Sequence, residues 1–253
     1  MNNLRRSYGL IFSIVILFAL SINISGQDST PEPETPIREP NLVVEIEATD
    51  GVTLTGDYYL PHDGDAPAVL LLHELYTSRA SWRWMIEPLL ANGFRVLTVD
   101  LRGYGSLRRT GLNWRQTGVD AQSWLSWLYA QPGTRLNSVF VLGSSMGANL
   151  ALNACADAEH CAGVVAMSAG LNYFGVTTWD ALRSGRPTLL VYADRDSIPR
   201  RDMPRIRELI AEVGAEGTVT ELVYEGRAHG MILLDTEEDI IPQMIGWMRS
   251  RAG

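Results

Sequence analysis

The sequence predicts one α/β domain with a mostly parallel central sheet, opened by an antiparallel hairpin and covered by helices on both faces. Short apolar runs recur at 68–72, 95–99, 138–142, 163–167, 188–192 and 219–224. Strands that are apolar on both faces need helices packed on both sides, which is the environment of a parallel sheet. Between those runs lie stretches at 81–92, 119–130, 146–156, 204–213 and 237–249 that read as amphipathic helices. Ahead of them, strand-like stretches at 42–49 and 52–60 meet at Asp50-Gly51, a dipeptide suited to a hairpin turn. Trp124, Trp127 and Leu128 recur at helical spacing and read as core. No internal repeat breaks the pattern, so residues 42–253 form one domain.

The first 41 residues read differently. Arg5 and Arg6 precede an apolar run from about residue 10 to 24, which ends at the small pair Ser25-Gly26. A basic start, a short apolar core and a small-residue end fit a secretory signal over residues 1–26. Left uncleaved, the same segment would anchor the chain in a membrane through residues 4–24. No cysteine follows the run to take a lipid. Residues 27–41 are rich in Pro, Glu, Ser and Thr and read as an extended linker. The expected workplace is therefore outside the cytoplasm: secreted, periplasmic or anchored facing outward.

Cys155 and Cys161 flank a five-residue loop, and in an oxidising compartment such a pair bridges if the loop brings the Cα atoms within about 7 Å. The alternative is two small buried thiols.

Composition removes several chemistries. A net charge of −8 disfavours nucleic acid, whose phosphates need a basic face. All 21 basic residues are arginine, so there is no lysine for a Schiff base or a P-loop. The four histidines (His62, His73, His160, His229) show no metal-ligand spacing. No metal and no cofactor are expected.

The remaining chemistry sits at strand ends. Gly143-Ser144-Ser145-Met146-Gly147 follows an apolar run and opens a helical one. Alone, G-x-S-x-G is a weak pattern. Between a strand and a helix it is strong, because that turn lifts a serine hydroxyl clear and sets it at a helix N-terminus. A serine hydroxyl needs a base and an acid that orients the base. His229, in Ala228-His229-Gly230 after the last apolar run, is the candidate base. His73 closes the first buried run and reads as a support for the next loop. For the acid, Asp194 and Asp196 compete in the turn after 188–192.

Taken together, these pieces resemble the α/β-hydrolases, in particular the esterase and dienelactone-hydrolase-like group. The resemblance runs over most of 43–249. It rests on Leu70-Leu71-Leu72-His73, Asp100-Leu101-Arg102-Gly103-Tyr104-Gly105-Ser106, the turn at Ser145, the turn at Asp196 and Ala228-His229-Gly230. It implies a Ser145–His229–Asp196 triad, with Asp196 at the acid position of the family's turn and Asp194 as a turn-capping residue. It also implies an oxyanion hole made by the backbone N–H groups of Leu75 and Met146. One feature departs: His73-Glu74 stands where His-Gly is usual, placing a carboxylate beside the expected oxyanion site. Glu74 either points at Ser145 or turns outward to pair with an arginine such as Arg79 or Arg102, and the second arrangement is favoured.

The implied activity is serine-hydrolase cleavage of a small-molecule ester or related acyl bond through an acyl-enzyme. Peptidase or lactonase variants of that chemistry are alternatives, as is a non-catalytic binding protein of the same fold. Only 19 residues, 168–186, separate two of the apolar runs, too few for a large helical cap. Leu171, Tyr173, Phe174, Val176 and Trp179 within them either form an apolar rim to the site or pack the loop down.

Overall fold

The computed structural model describes residues 38–61 and 64–253. The expected signal or anchor, most of the linker and His62 lie outside the described residues.

Two strands, β1 (Leu42–Glu47) and β2 (Thr53–Tyr59), form the expected hairpin, with Gly51 in the left-handed region at φ 81°. The alternation then begins with β3 (Ala66–Leu72), α1 (Arg83–Ala91), β4 (Arg95–Val99) and α2 (Trp114–Tyr129). It continues through β5 (Thr134–Ser144), α3 (Met146–Ala156) and β6 (Cys161–Met167). A short excursion follows: β7 (Asn172–Tyr173), β8 (Val176–Thr177) and the single turn α4 (Trp179–Leu182). The chain closes with β9 (Thr188–Ala193), α5 (Ser197–Glu212), β10 (Val219–Tyr224), α6 (Ile232–Thr236) and α7 (Ile240–Arg249). Eight strands make one sheet in the order β1-β2-β4-β3-β5-β6-β9-β10. Only the β1/β2 and β2/β4 pairs are antiparallel. The predicted sheet is the observed one.

Side chains alternate across that sheet into two cores. Leu70 and Leu72 of β3 face Trp124, Leu125 and Leu128 of α2 and Ile206 and Leu209 of α5. Val69 and Leu71 face the other way, onto Met85 and Leu89 of α1 and Met244 and Met248 of α7. A period of two in a strand therefore feeds both faces, which is why these strands are apolar throughout. Trp124 and Leu128 are fully buried, and Trp127 packs edge-on against Tyr58 at 5.1 Å between centroids. The core reading of that stripe holds.

Helix starts were the least legible feature. α2 begins five residues before the predicted 119, where Asn113 accepts the Gln116 N–H at 3.1 Å and caps the helix. α5 begins seven residues before Pro204, because Asp196 caps it by accepting from the Ile198 N–H at 3.3 Å. Proline favours a first helical turn, so Pro204 suggested a start, but a better cap lies upstream. The helix predicted from 237 starts three residues later, as α7 at Ile240, and the short α6 that ends at Thr236 lies ahead of the predicted stretch. Cys155 and Cys161 are bridged, with Cα atoms 5.3 Å apart, and Arg186 holds the loop between them through the carbonyls of Ala158, Glu159 and Cys161. Among the described residues no helix is long and apolar enough to cross a membrane.

Candidate active site

The turn between β5 and α3 carries its strain on the serine itself. Ser145 sits at φ 53°, ψ −114°, a conformation that L-residues rarely adopt. The flanking glycines serve a different need. A Cβ on Gly147 would run into the backbone carbonyls of Leu72 and His73, and one on Gly143 would run into the backbone of Gly147. Both glycines are there so that two stretches of backbone can cross in contact. Ser145 is pinned from behind by its own N–H, which donates to Met167 O of β6 at 2.8 Å.

Three loop ends bring the predicted residues together. His229 Nε2 lies 2.9 Å from Ser145 Oγ, and His229 Nδ1 lies 2.7 Å from Asp196 Oδ2. A carboxylate only accepts, so Nδ1 carries the ring proton and Nε2 is free to accept from the serine hydroxyl. Burial works to lower the His229 pKa, but the Asp196 hydrogen bond and charge, helped by the charge of Glu74, outweigh it and raise the imidazole above its ordinary value. Asp194 stands apart and exposed, accepting from Gly226 N–H at 2.8 Å and facing Arg195. Of the two competing aspartates, Asp196 is the one in contact with the histidine.

His73 is the support its position suggested. The Leu101 N–H donates to its Nε2 at 2.9 Å, so the proton is on Nδ1, which donates to Glu74 O at 2.7 Å. This neutral ring, its pKa lowered by burial, ties the start of the 73–78 loop to the end of β4. Asp100 secures the same loop by accepting from the Arg79 N–H, the Arg79 guanidinium and the Ser106 N–H. The Leu75 and Met146 N–H groups have no hydrogen-bond partner among the described residues. Met146 is the first residue of α3, where an N–H has no intrahelical acceptor.

Glu74 takes neither of the two expected arrangements. Arg79 is engaged by Asp57 and Asp100, and Arg102 by Asp50 and Asp120. Glu74 Oε2 instead accepts from Ser144 Oγ at 2.7 Å and from the Met231 N–H at 3.0 Å. It anchors the 73–78 loop, but by turning inward onto β5 and the loop of His229, so the favoured outward pairing with an arginine does not hold. The physical reason is competition: each arginine already faces two aspartates, whereas the Ser144 hydroxyl and Met231 amide have no other acceptor.

Ser168 was missed. At φ 50°, just past β6, its hydroxyl donates to Asp196 Oδ2 at 2.8 Å and accepts from the Gly230 N–H at 2.9 Å. It links Asp196 to the loop that carries His229. The one available signal was its place directly after a buried strand at the same end of the sheet as Ser145. Tyr173 was grouped only with the rim candidates. Its hydroxyl donates to Ser168 O at 3.1 Å. Burial pushes this phenol up to about 12. The other rim candidates divide: Leu171 and Val176 pack on the core, Trp179 lies under Arg205, and Phe174 stays exposed. Among the described residues there is no cluster of side chains fit to hold a metal ion.

Comparison with known proteins places this geometry. The alpha/beta hydrolase fold family matches residues 67–190. A 42-residue stretch is 52% identical to bifunctional epoxide hydrolase 2 of Sus scrofa, covering 17% of this chain and 8% of that protein. Another of 109 residues is 32% identical to epoxide hydrolase B of Mycobacterium tuberculosis, covering 43% of this chain and 30% of that protein. The chain therefore spans only a small part of the curated relatives it matches. Solved structures align over more of it. An esterase of Pyrococcus furiosus superposes with a TM-score of 0.71 at 20% identity, covering 84% of this chain and 91% of that one. A dienelactone hydrolase of Klebsiella pneumoniae, itself described as putative, gives 0.67 at 17% identity, covering 83% and 99%. At those identities the likeness speaks to fold alone. With the matched profile and the sheet order pointing the same way, the chain has the α/β-hydrolase fold.

Proposed function

We propose that this protein is a serine hydrolase that cleaves a small-molecule carboxylic ester or related acyl bond. One observation carries the reading: the unbroken hydrogen-bond chain from Ser145 Oγ through His229 to Asp196. As Ser145 Oγ attacks the carbonyl carbon, its proton passes to His229 Nε2 and the carbonyl electrons move onto oxygen. The N–H groups of Leu75 and Met146 are the proposed donors to that oxyanion, aided by the N-terminal end of α3. Collapse breaks the bond to the alcohol oxygen, which leaves with the proton from His229. Water then attacks the acyl-enzyme, giving its proton to the same nitrogen; the second collapse breaks the acyl–Oγ bond, returns that proton to Ser145 and releases the acid. Asp196 stays ionised throughout and stabilises the imidazolium. The relatives, hydrolases by name, agree with this class of chemistry.

Fluorophosphonate labelling together with a p-nitrophenyl ester chain-length series tests the proposal. Ser145→Ala should abolish labelling and lower kcat by several orders of magnitude, since such residues act as a unit. Label found on Ser144, or persisting in the variant, would overturn the assignment.

The working place is part of the same proposal. The basic-then-apolar beginning of the sequence and the Cys155–Cys161 bridge both support export from the cytoplasm. Cell fractionation with non-reducing mass spectrometry checks it. Cytoplasmic protein carrying two free thiols would sink it.

A further inference from the structure

Four aromatic side chains, from three loops and the first residue of α2, form one row beside this site. Tyr104 packs edge-on against His73 at 5.8 Å between centroids, and Tyr76 packs edge-on against Tyr104 at 6.2 Å. On its other side Tyr104 stacks with Trp114 at 6.3 Å, and Trp114 stacks with Phe174 at 5.8 Å, the latter planes only 19° apart. Both ends of the row are tied to the reacting groups. Tyr76 follows Leu75, a proposed oxyanion donor, and Phe174 follows Tyr173, whose hydroxyl donates to the carbonyl of Ser168, the residue bonded to Asp196.

The two end residues are held against ordinary preference twice over. Tyr76 is 89% exposed and Phe174 66% exposed, although each ring has a large apolar area to bury. Each also sits in the left-handed backbone region, at φ 63° and φ 51°, where bulky residues are rare. Two bulky rings left open to water at the ends of such a row, each on left-handed backbone, have the character of a binding wall rather than of core. Stacked planes select for flat groups, because offset ring pairs gain energy beyond their buried area.

We propose that Tyr76, Tyr104, Trp114 and Phe174 bind a planar aromatic group of the substrate, so that the preferred substrate is an aryl-bearing ester. The inference rests on the serine-hydrolase reading above. Its test uses matched esters whose leaving groups and volumes are nearly equal. On the acyl side these are methyl 3-phenylpropanoate and methyl 3-cyclohexylpropanoate; on the alcohol side, 2-phenylethyl acetate and 2-cyclohexylethyl acetate. At least one pair should favour the aryl member about fivefold in kcat/KM, the ratio to which ~1 kcal/mol of ring preference converts. Phe174→Leu and Tyr76→Leu, both at exposed positions, should bring that ratio towards one. Trp84→Leu, an exposed tryptophan outside the row, should leave it in place. Ratios near one for both pairs, in a protein whose Ser145 takes fluorophosphonate, would overturn the wall alone. The same holds if the aryl preference survives both row variants. A Ser145 that takes no label would bring down the hydrolase reading and the wall with it.

Discussion

The turn that carries Ser145 and the loop that carries His229 are held in opposite ways. The serine turn is fixed by shape: contiguous residues, two glycines that let backbones cross, and Ser145 buried just past the end of β5. The histidine loop is fixed by hydrogen bonds from far along the chain. Ser168 accepts from Gly230, Glu74 accepts from Met231, and Asp196 holds the ring itself. A shape-fixed element is encoded locally and tolerates nothing larger. A bond-fixed element depends on distant partners, so its failures should be graded and dependent on pH.

Gly147→Ala should have the largest effect, because the new Cβ meets backbone that no side chain can relieve. A loss of roughly 4 kcal/mol or outright failure to fold is expected, read by thermal unfolding. A variant as stable as the parent would show that the turn is not fixed by shape. Ser168→Ala comes next. It removes a donor from Asp196 and leaves the buried Gly230 N–H unpaired, costing about 1–3 kcal/mol of stability. A fall in kcat of about tenfold should accompany it if the loop's position governs transition-state stabilisation. Stability lost without any fall in kcat would leave Ser168 a structural residue only.

Glu74→Gln is smaller and sharper. An amide keeps an acceptor for Ser144 and Met231 but removes the charge that helps raise the His229 pKa. The base works only when neutral, so a raised pKa places the acid limb of kcat/KM above the ordinary histidine range. Removing one cause of that rise moves the limb to lower pH, and activity persists further into acid. A limb that stays put would mean that Glu74 acts through its bonds alone. The smallest effect belongs to Asp194→Asn, expected to leave both thermal unfolding and the pH profile essentially unchanged, since that carboxylate is exposed and touches neither Ser145 nor His229. A collapse of kcat would reverse the choice between the two aspartates.

The mostly parallel sheet, the two-sided helix cover and the core stripe of α2 were legible because hydrophobic periodicity is a local signal that the parallel sheet amplifies. The contacts of Ser145, His229 and Asp196 with one another were foreseen through spacing and resemblance, each residue standing just past a buried strand. Cap choice was less legible: Asn113 and Asp196 displaced the starts suggested by periodicity and by Pro204.

What the sequence determined by itself is the chemistry available: one serine in a strand-to-helix turn, histidine and aspartate after later strands, and no lysine. Tertiary structure alone decided who serves whom. It gave Glu74 to Ser144 and Met231 rather than to an arginine, enlisted Ser168 between Asp196 and Gly230, and lined up Tyr76, Tyr104, Trp114 and Phe174. Each of those outcomes joins residues far apart in the chain. A hydrogen bond or a ring contact acts over a few ångströms, so which partners meet follows from how the loops converge and not from any local pattern.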